Sequence, residues 1–78
     1  MVTPEQVKSY IEQGLACESV SVSGDGQHFE AVIVSTAFRG KNKVQQHQLV
    51  YRALGERMRE EIHALSMQTF TPEDFAGK

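Results

Sequence analysis

Two short strand-like segments, joined by a glycine-rich turn, limit the folds that this chain can adopt. Residues 19–23, SVSVS, alternate apolar and polar side chains with the two-residue period of a half-buried strand. Residues 28–35, HFEAVIVS, are rich in side chains that favour strands. Gly24-Asp25-Gly26 lies between them, and glycine accepts the positive φ angles of tight turns. The sequence therefore predicts a β-hairpin with the GDGQ loop at its tip.

Helical patterns lie on both sides of this hairpin. Thr3-Pro4-Glu5-Gln6 has the cap, proline and capping-box residues of a helix start, and this helix is expected to end between Gly14 and Cys17. A second helix is predicted from the Asn42 cap to about Glu61, with a break near Gly55. The positions expected to face the core are Val7, Tyr10, Ile11 and Leu15 in the first helix, and Val44, His47, Val50, Tyr51, Leu54 and Met58 in the second.

A third strand, IHALSMQTF at residues 62–70, follows the second helix. Thr71-Pro72-Glu73-Asp74 then predicts the start of a short helical turn. The element order is α-β-β-α-β, and the helix between strands two and three allows those strands to be parallel. We expect an α+β fold in a single domain, residues 1–78, with helices packed on one face of a small three-stranded mixed sheet.

Charge and cysteine content exclude several kinds of protein. The net charge of −2 argues against strong nucleic-acid binding, and the single cysteine excludes an internal disulfide or a CxxC metal site. No apolar run approaches the ~20 residues of a membrane span, and the N-terminus lacks a signal-peptide pattern. We therefore expect a cytoplasmic protein with no membrane partner.

The charges are unevenly distributed along the chain. No acidic residue lies between Glu30 and Glu56, whereas Arg39, Lys41, Lys43 and Arg52 fall in that interval. A solvated helix surface and a docking patch for an anionic partner both fit this pattern. Arg39, Lys41 and Lys43 are the candidate partner-binding residues.

Two longer stretches carry a family resemblance. They are VSGDGQHFEAVIVSTAFRGKNKVQQHQLVYRAL and IHALSMQTFTPEDF. Together they resemble the BolA-like protein family, most closely its short bacterial IbaG-like subgroup. The resemblance implies an α-β-β-α-β fold similar to the KH arrangement. It also implies a non-enzymatic partner of monothiol glutaredoxins of the CGFS type, with a [2Fe-2S] cluster and glutathione held between the two proteins. Iron–sulfur cluster trafficking, iron sensing, acid stress and gene regulation are the implied roles.

The resemblance also suggests which residues bind metal. His63 aligns with the C-terminal histidine of the family, and a neutral imidazole can replace thiolate in a [2Fe-2S] centre. The second family ligand is a cysteine or histidine in the hairpin loop. Asp25 stands where some members carry that cysteine, but a carboxylate oxygen is poorly matched to cluster iron. His28, three residues later, is the other candidate, and rings of His28 and His63 within ~8 Å of each other on the surface would allow one iron to take both.

Other residues have structural interpretations. His47 is expected to pack on the apolar face of the second helix, and Cys17 to act as a small buried hydrophobe. GDG lacks the length and the Lys-Ser/Thr of a phosphate-binding loop. No nucleophile–base pair is evident, so we predict no catalytic residues and no enzyme. The alternative function is a nucleic-acid-binding stress regulator that uses the KH-like fold and the basic face, with DNA as partner. We expect a monomer, with a weak histidine-bridged homodimer as the alternative.

Overall fold

The computed structural model describes residues 2–77, so the two ends of the predicted domain, residues 1 and 78, lie outside the described residues. The helices and strands follow the predicted order α-β-β-α-β, with a 3₁₀ turn after the second strand and a short separate helix after the break at Gly55. The helical turn predicted at Thr71-Pro72-Glu73-Asp74 is present as a short C-terminal helix capped by Thr71. The elements are α1 Pro4–Gly14, β1 Ser19–Gly24, β2 His28–Val34, a 3₁₀ turn Thr36–Phe38, α2 Lys43–Leu54, α3 Glu56–Glu60, β3 Ala64–Phe70 and α4 Pro72–Ala76.

The three strands form one mixed sheet in the order β1-β2-β3. The hairpin strands β1 and β2 are antiparallel, with Gly24 opposite Phe29. Strands β2 and β3 are parallel, with His28 opposite Ala64. The helical connection between them makes this parallel pairing sterically feasible. The predicted α+β fold with a three-stranded mixed sheet is confirmed.

The main core lies between one face of the sheet and the two longer helices. Phe29, Ala31 and Ile33 alternate along β2 and are buried, as the two-residue period of a strand requires. Helices α1 and α2 cover this face, and the loop before β3 contributes one more apolar side chain. The buried residues from these elements are Val7, Ile11, Val50, Leu54 and Ile62.

The residues that helix α2 buries overlap only in part with the predicted set: Val50 and Leu54 are buried as predicted. Val44 and Tyr51 are 66% and 42% exposed, so assigning them to the core was wrong. The buried positions are Gln46, Val50 and Leu54, which recur every four residues. Gln46 was missed because glutamine is usually a surface residue. Its amide is tolerated in the interior because it makes three hydrogen bonds there.

The ends of the helices agree well with the sequence prediction. Thr3 and Asn42 both form complete capping boxes, with Gln6 and Gln45 as the reciprocal partners. The predicted break near Gly55 is present, because α2 ends at Leu54 and α3 begins at Glu56. Within residues 2–77, no helix has the length and apolar character needed to cross a membrane.

Candidate metal site

The hairpin turn places His28 at the first position of β2. Asp25 Oδ1 accepts hydrogen bonds from the backbone N–H groups of Gln27 and His28, both at 2.9 Å. These two donors lower the pKa of the Asp25 carboxyl group below its usual value. Asp25 therefore holds the turn in the conformation that presents His28. Its role as a cluster ligand stays a prediction.

The junction between α3 and β3 places His63. Ile62, the preceding residue, is only 3% exposed and anchors the chain in the core. Glu61 accepts a hydrogen bond from the Tyr10 hydroxyl at 2.9 Å, which raises the pKa of Tyr10. The Arg57 guanidinium lies 4.0 Å from the centroid of the Tyr10 ring. These contacts tie the segment before His63 to helix α1, and hydrophobic spacing alone did not reveal them.

Parallel pairing of β2 and β3 brings the two histidines together. Parallel strands begin at the same end of a sheet, and His28 pairs with Ala64, the neighbour of His63. The centroids of the His28 and His63 rings lie 6.2 Å apart, and the ring planes are nearly perpendicular at 87°. Both residues are exposed to solvent. This separation is below the ~8 Å at which we expect one iron to be able to bind both histidines.

The histidine pair is suited to one metal ion but does not complete its coordination. Two imidazoles on one tetrahedral metal have ring centroids roughly 5 Å apart, which is about 1 Å closer than the rings of this pair. In the part of the chain that the structure describes, no three His, Cys, Asp or Glu side chains are grouped to hold a metal. A four-coordinate metal bound here would therefore take its remaining ligands from another molecule.

Cys17 and His47 lie outside this pair. Cys17 is half-buried, its thiol donates to the Leu15 carbonyl at 3.3 Å, and burial raises its pKa. These features fit the predicted structural role. His47 is half-buried rather than packed in the core, and it lines a groove between α2 and β3.

Two of the three candidate partner-binding cations are engaged within the chain. Arg39 forms an ion pair with Glu73 of α4, with Nε 3.0 Å from Oε1. Lys43 donates to the Thr69 carbonyl, and its ammonium lies 4.9 Å from the centroid of the Phe70 ring. Thr69 is five residues along β3 from Ala64, or roughly 16 Å at the rise of a strand. Lys43 is therefore far from the histidine pair, and the partner-binding role of Arg39, Lys41 and Lys43 stays a prediction.

A buried hydrogen-bond network connects this basic loop to the sheet. The Gln46 amide donates to the carbonyls of Phe38 and Lys41, at 3.2 and 2.8 Å. It also accepts from the Thr69 hydroxyl at 2.7 Å. The loop that carries Arg39 and Lys41 is thus fixed to both α2 and β3. This network has no clear signal in the amino-acid sequence, because a single glutamine in a helix has no distinctive spacing.

Comparisons with known proteins identify relatives of this fold and sequence. A model of the BolA-like protein family matches residues 7–74. The chain is 36% identical over 72 residues to the acid stress protein IbaG of Escherichia coli K12, covering 91% of this chain and 86% of that protein. It is 46% identical over 55 residues to the DNA-binding transcriptional regulator BolA of Haemophilus influenzae, covering 70% of this chain and 53% of that protein's length.

A solved structure is similar to this fold over almost the whole chain. A bolA protein homologue from Coxiella burnetii superposes with a TM-score of 0.91 and 47% sequence identity. The match covers 97% of this chain and 99% of that one.

Proposed function

Because the chain belongs to the BolA-like protein family, we propose that it is a non-enzymatic adaptor in iron–sulfur metabolism. In this role it shares a [2Fe-2S] cluster with a monothiol glutaredoxin of the CGFS type and with glutathione. The observation that carries the proposal is the exposed pair of imidazoles, His28 and His63, with centroids 6.2 Å apart.

The chemistry of the pair supports a shared cluster. Two histidines can replace two cysteines on one iron of a [2Fe-2S] centre, as they do in Rieske sites. The partner thiolate and glutathione would supply the remaining ligands. Histidine binds iron only as the neutral imidazole, and protonation to imidazolium removes the lone pair that forms the bond, so these bonds are more readily broken by acid than those of a buried all-thiolate site. Lability suits a protein that passes a cluster on rather than one that stores it.

Reconstitution in solution tests this proposal. The wild-type protein is mixed anaerobically with a CGFS glutaredoxin, glutathione, ferrous iron and sulfide, and visible absorption and circular dichroism are recorded. We expect His63→Ala and His28→Ala to change or abolish the spectrum of the heterocomplex. His47→Ala is the matched control, because its ring lines a separate groove, and should leave the spectrum unchanged. A His63→Ala spectrum identical to wild type would contradict the proposal.

A second candidate function is nucleic-acid binding. It is favoured by the similarity to a relative named as a DNA-binding transcriptional regulator and by the basic segment around Lys41. The pairing of Arg39 with Glu73 and the net charge of −2 weigh against it. Mobility-shift titrations at several salt concentrations distinguish the two functions. Phosphate contacts give a binding constant that falls steeply with salt, and a binding constant without that slope removes this candidate.

A further inference from the structure

The outer edge of β3 and the neighbouring face of α2 form a groove that the proposed cluster chemistry does not use. Strand β3 is the last strand of the sheet, and no other strand within residues 2–77 lies on its outer side. The groove has a volume of about 300 Å³ and is lined by Lys43, His47 and residues 67–70.

The backbone of β3 presents hydrogen-bonding groups to this groove. The Phe70 carbonyl accepts from the Ser35 N–H at 3.0 Å, on the side facing β2. The Thr69 carbonyl faces the opposite side, where the Lys43 ammonium donates to it. Successive residues of a strand alternate in this direction, so Met67 and Leu65 direct their N–H and C=O groups outward, as Thr69 does. An exposed edge of this kind is a template for another strand.

Exposed apolar side chains lie beside the groove on α2, next to His47, which lines it. Val44, His47 and Tyr51 follow one another at spacings of three and four residues, so they share one face of α2. Val44 is 66% exposed and Tyr51 is 42% exposed. A strand laid along β3 would direct alternate side chains toward this face.

The charge of the groove indicates the chemistry of its occupant. None of the six lining residues is acidic, and the side chains of Lys43 and His47 are basic. Lys43 also lies in the first turn of α2, where the helix dipole is positive. A carboxylate is therefore the complementary group. A sheet edge with no neighbouring strand within residues 2–77, together with nearby apolar side chains, favours a peptide over a nucleic acid, whose binding depends mainly on clustered cations.

We propose that this groove binds an extended peptide segment of another protein, which adds antiparallel to the outer edge of β3. Its apolar side chains contact Val44 and Tyr51, and an acidic side chain near its N-terminal end faces Lys43. We propose antiparallel pairing because antiparallel strands are slightly more stable per residue than parallel strands. Peptide binding at this groove requires no metal. An experiment that refutes peptide binding therefore leaves the cluster proposal intact, and the reverse also holds.

A phage-displayed library of random dodecapeptides, selected on the metal-free protein, tests the proposal. We expect enriched peptides with alternating apolar residues and Asp or Glu near the N-terminus. A synthetic peptide of the enriched sequence should slow amide hydrogen exchange at Met67 and Leu65, because added strand hydrogen bonds protect those N–H groups. Binding is measured by isothermal titration calorimetry.

Two variants and one control separate edge pairing from other modes of binding. Met67→Pro removes an outward N–H without removing a bond to β2, because proline is tolerated at such edge positions. Val44→Asp places a charge among the exposed apolar residues of α2 beside the groove. It is the second test variant if Met67→Pro does not fold. We expect each to weaken binding about tenfold or more, as the loss of one or two good contacts does. Gln13→Asp, which adds the same charge at an exposed position of α1, should bind as wild type does.

Three results would overturn the proposal. One is a selection that yields no enriched sequence. Another is peptides that bind Met67→Pro and Val44→Asp as tightly as wild type. The third is protection of the same amides by an oligo-dT strand in place of the peptide, which would assign the groove to nucleic acid.

Discussion

Replacing Gln46 by leucine tests whether the buried hydrogen-bond network stabilises the fold. Gln46 is 5% exposed and makes three hydrogen bonds, to the Phe38 and Lys41 carbonyls and from the Thr69 hydroxyl. At about 1 kcal/mol each, their loss lowers the free energy of unfolding by about 3 kcal/mol. For a domain of this size, that corresponds to a decrease in melting temperature of roughly 10–20 °C.

Thermal and urea unfolding, followed by circular dichroism, measure this change. Gln48→Leu is the control, because Gln48 is exposed on the same helix, and it should change stability by less than about 0.5 kcal/mol. Adding Thr69→Val to Gln46→Leu removes the hydroxyl left without a partner, so the double variant should be more stable than Gln46→Leu by about 1 kcal/mol. If Gln46→Leu is as stable as wild type, or if Thr69→Val destabilises it further, the network does not act as described.

Three further predictions concern the helix contact, the ion pair and the turn. Gly14→Ala should lower the free energy of unfolding by about 1–3 kcal/mol, because a Cβ at this position would lie 2.7 Å from the Ala53 carbonyl oxygen. Urea unfolding measures this change, and an unchanged midpoint would contradict the close contact. Hydrogen bonding to Arg39 lowers the pKa of Glu73 in the folded protein. The ion pair therefore stabilises the fold fully above the unfolded pKa of about 4.3, and this stabilisation is lost as the pH falls through the lower folded pKa. Glu73→Gln should therefore flatten the acid side of the stability–pH curve, and a curve identical to wild type would show that the pair contributes nothing. Asp25→Ala should lower the yield of the reconstituted cluster, because the turn before His28 loses the two hydrogen bonds that Asp25 accepts. Asp25→Asn should retain the yield, because its side-chain oxygen can accept the same bonds. Equal yields for the two variants would exclude a positioning role for Asp25.

Local patterns predicted most of the fold because each element carries its own signal. The capping residues Thr3 and Asn42, the break at Gly55 and the alternation of residues 19–23 depend only on neighbouring residues. The face of α2 was harder to predict. Val44 and Tyr51 are apolar but exposed, while Gln46 is polar but buried. Gln46 is tolerated in the interior because of the Thr69 hydroxyl and the loop carbonyls that it meets, and these come from distant parts of the chain.

The sequence predicted which residues form the candidate site but not how those residues are arranged in space. His63 and His28 followed from the family resemblance, whereas their proximity depends on the parallel register of β2 and β3. Periodicity allows that register but does not determine it. The intramolecular partners of Arg39 and Lys43 were also inaccessible from the sequence, because Glu73 and Thr69 become neighbours only after the chain has folded.

The most direct test of the central proposal is pulsed electron paramagnetic resonance on the reduced heterocomplex. The protein is labelled with ¹⁵N-histidine, and the glutaredoxin is left unlabelled. We predict hyperfine couplings from two ¹⁵N nuclei, one from His28 and one from His63, with a single coupling remaining in His28→Ala. A wild-type spectrum without any ¹⁵N coupling would contradict the proposal that this histidine pair binds iron.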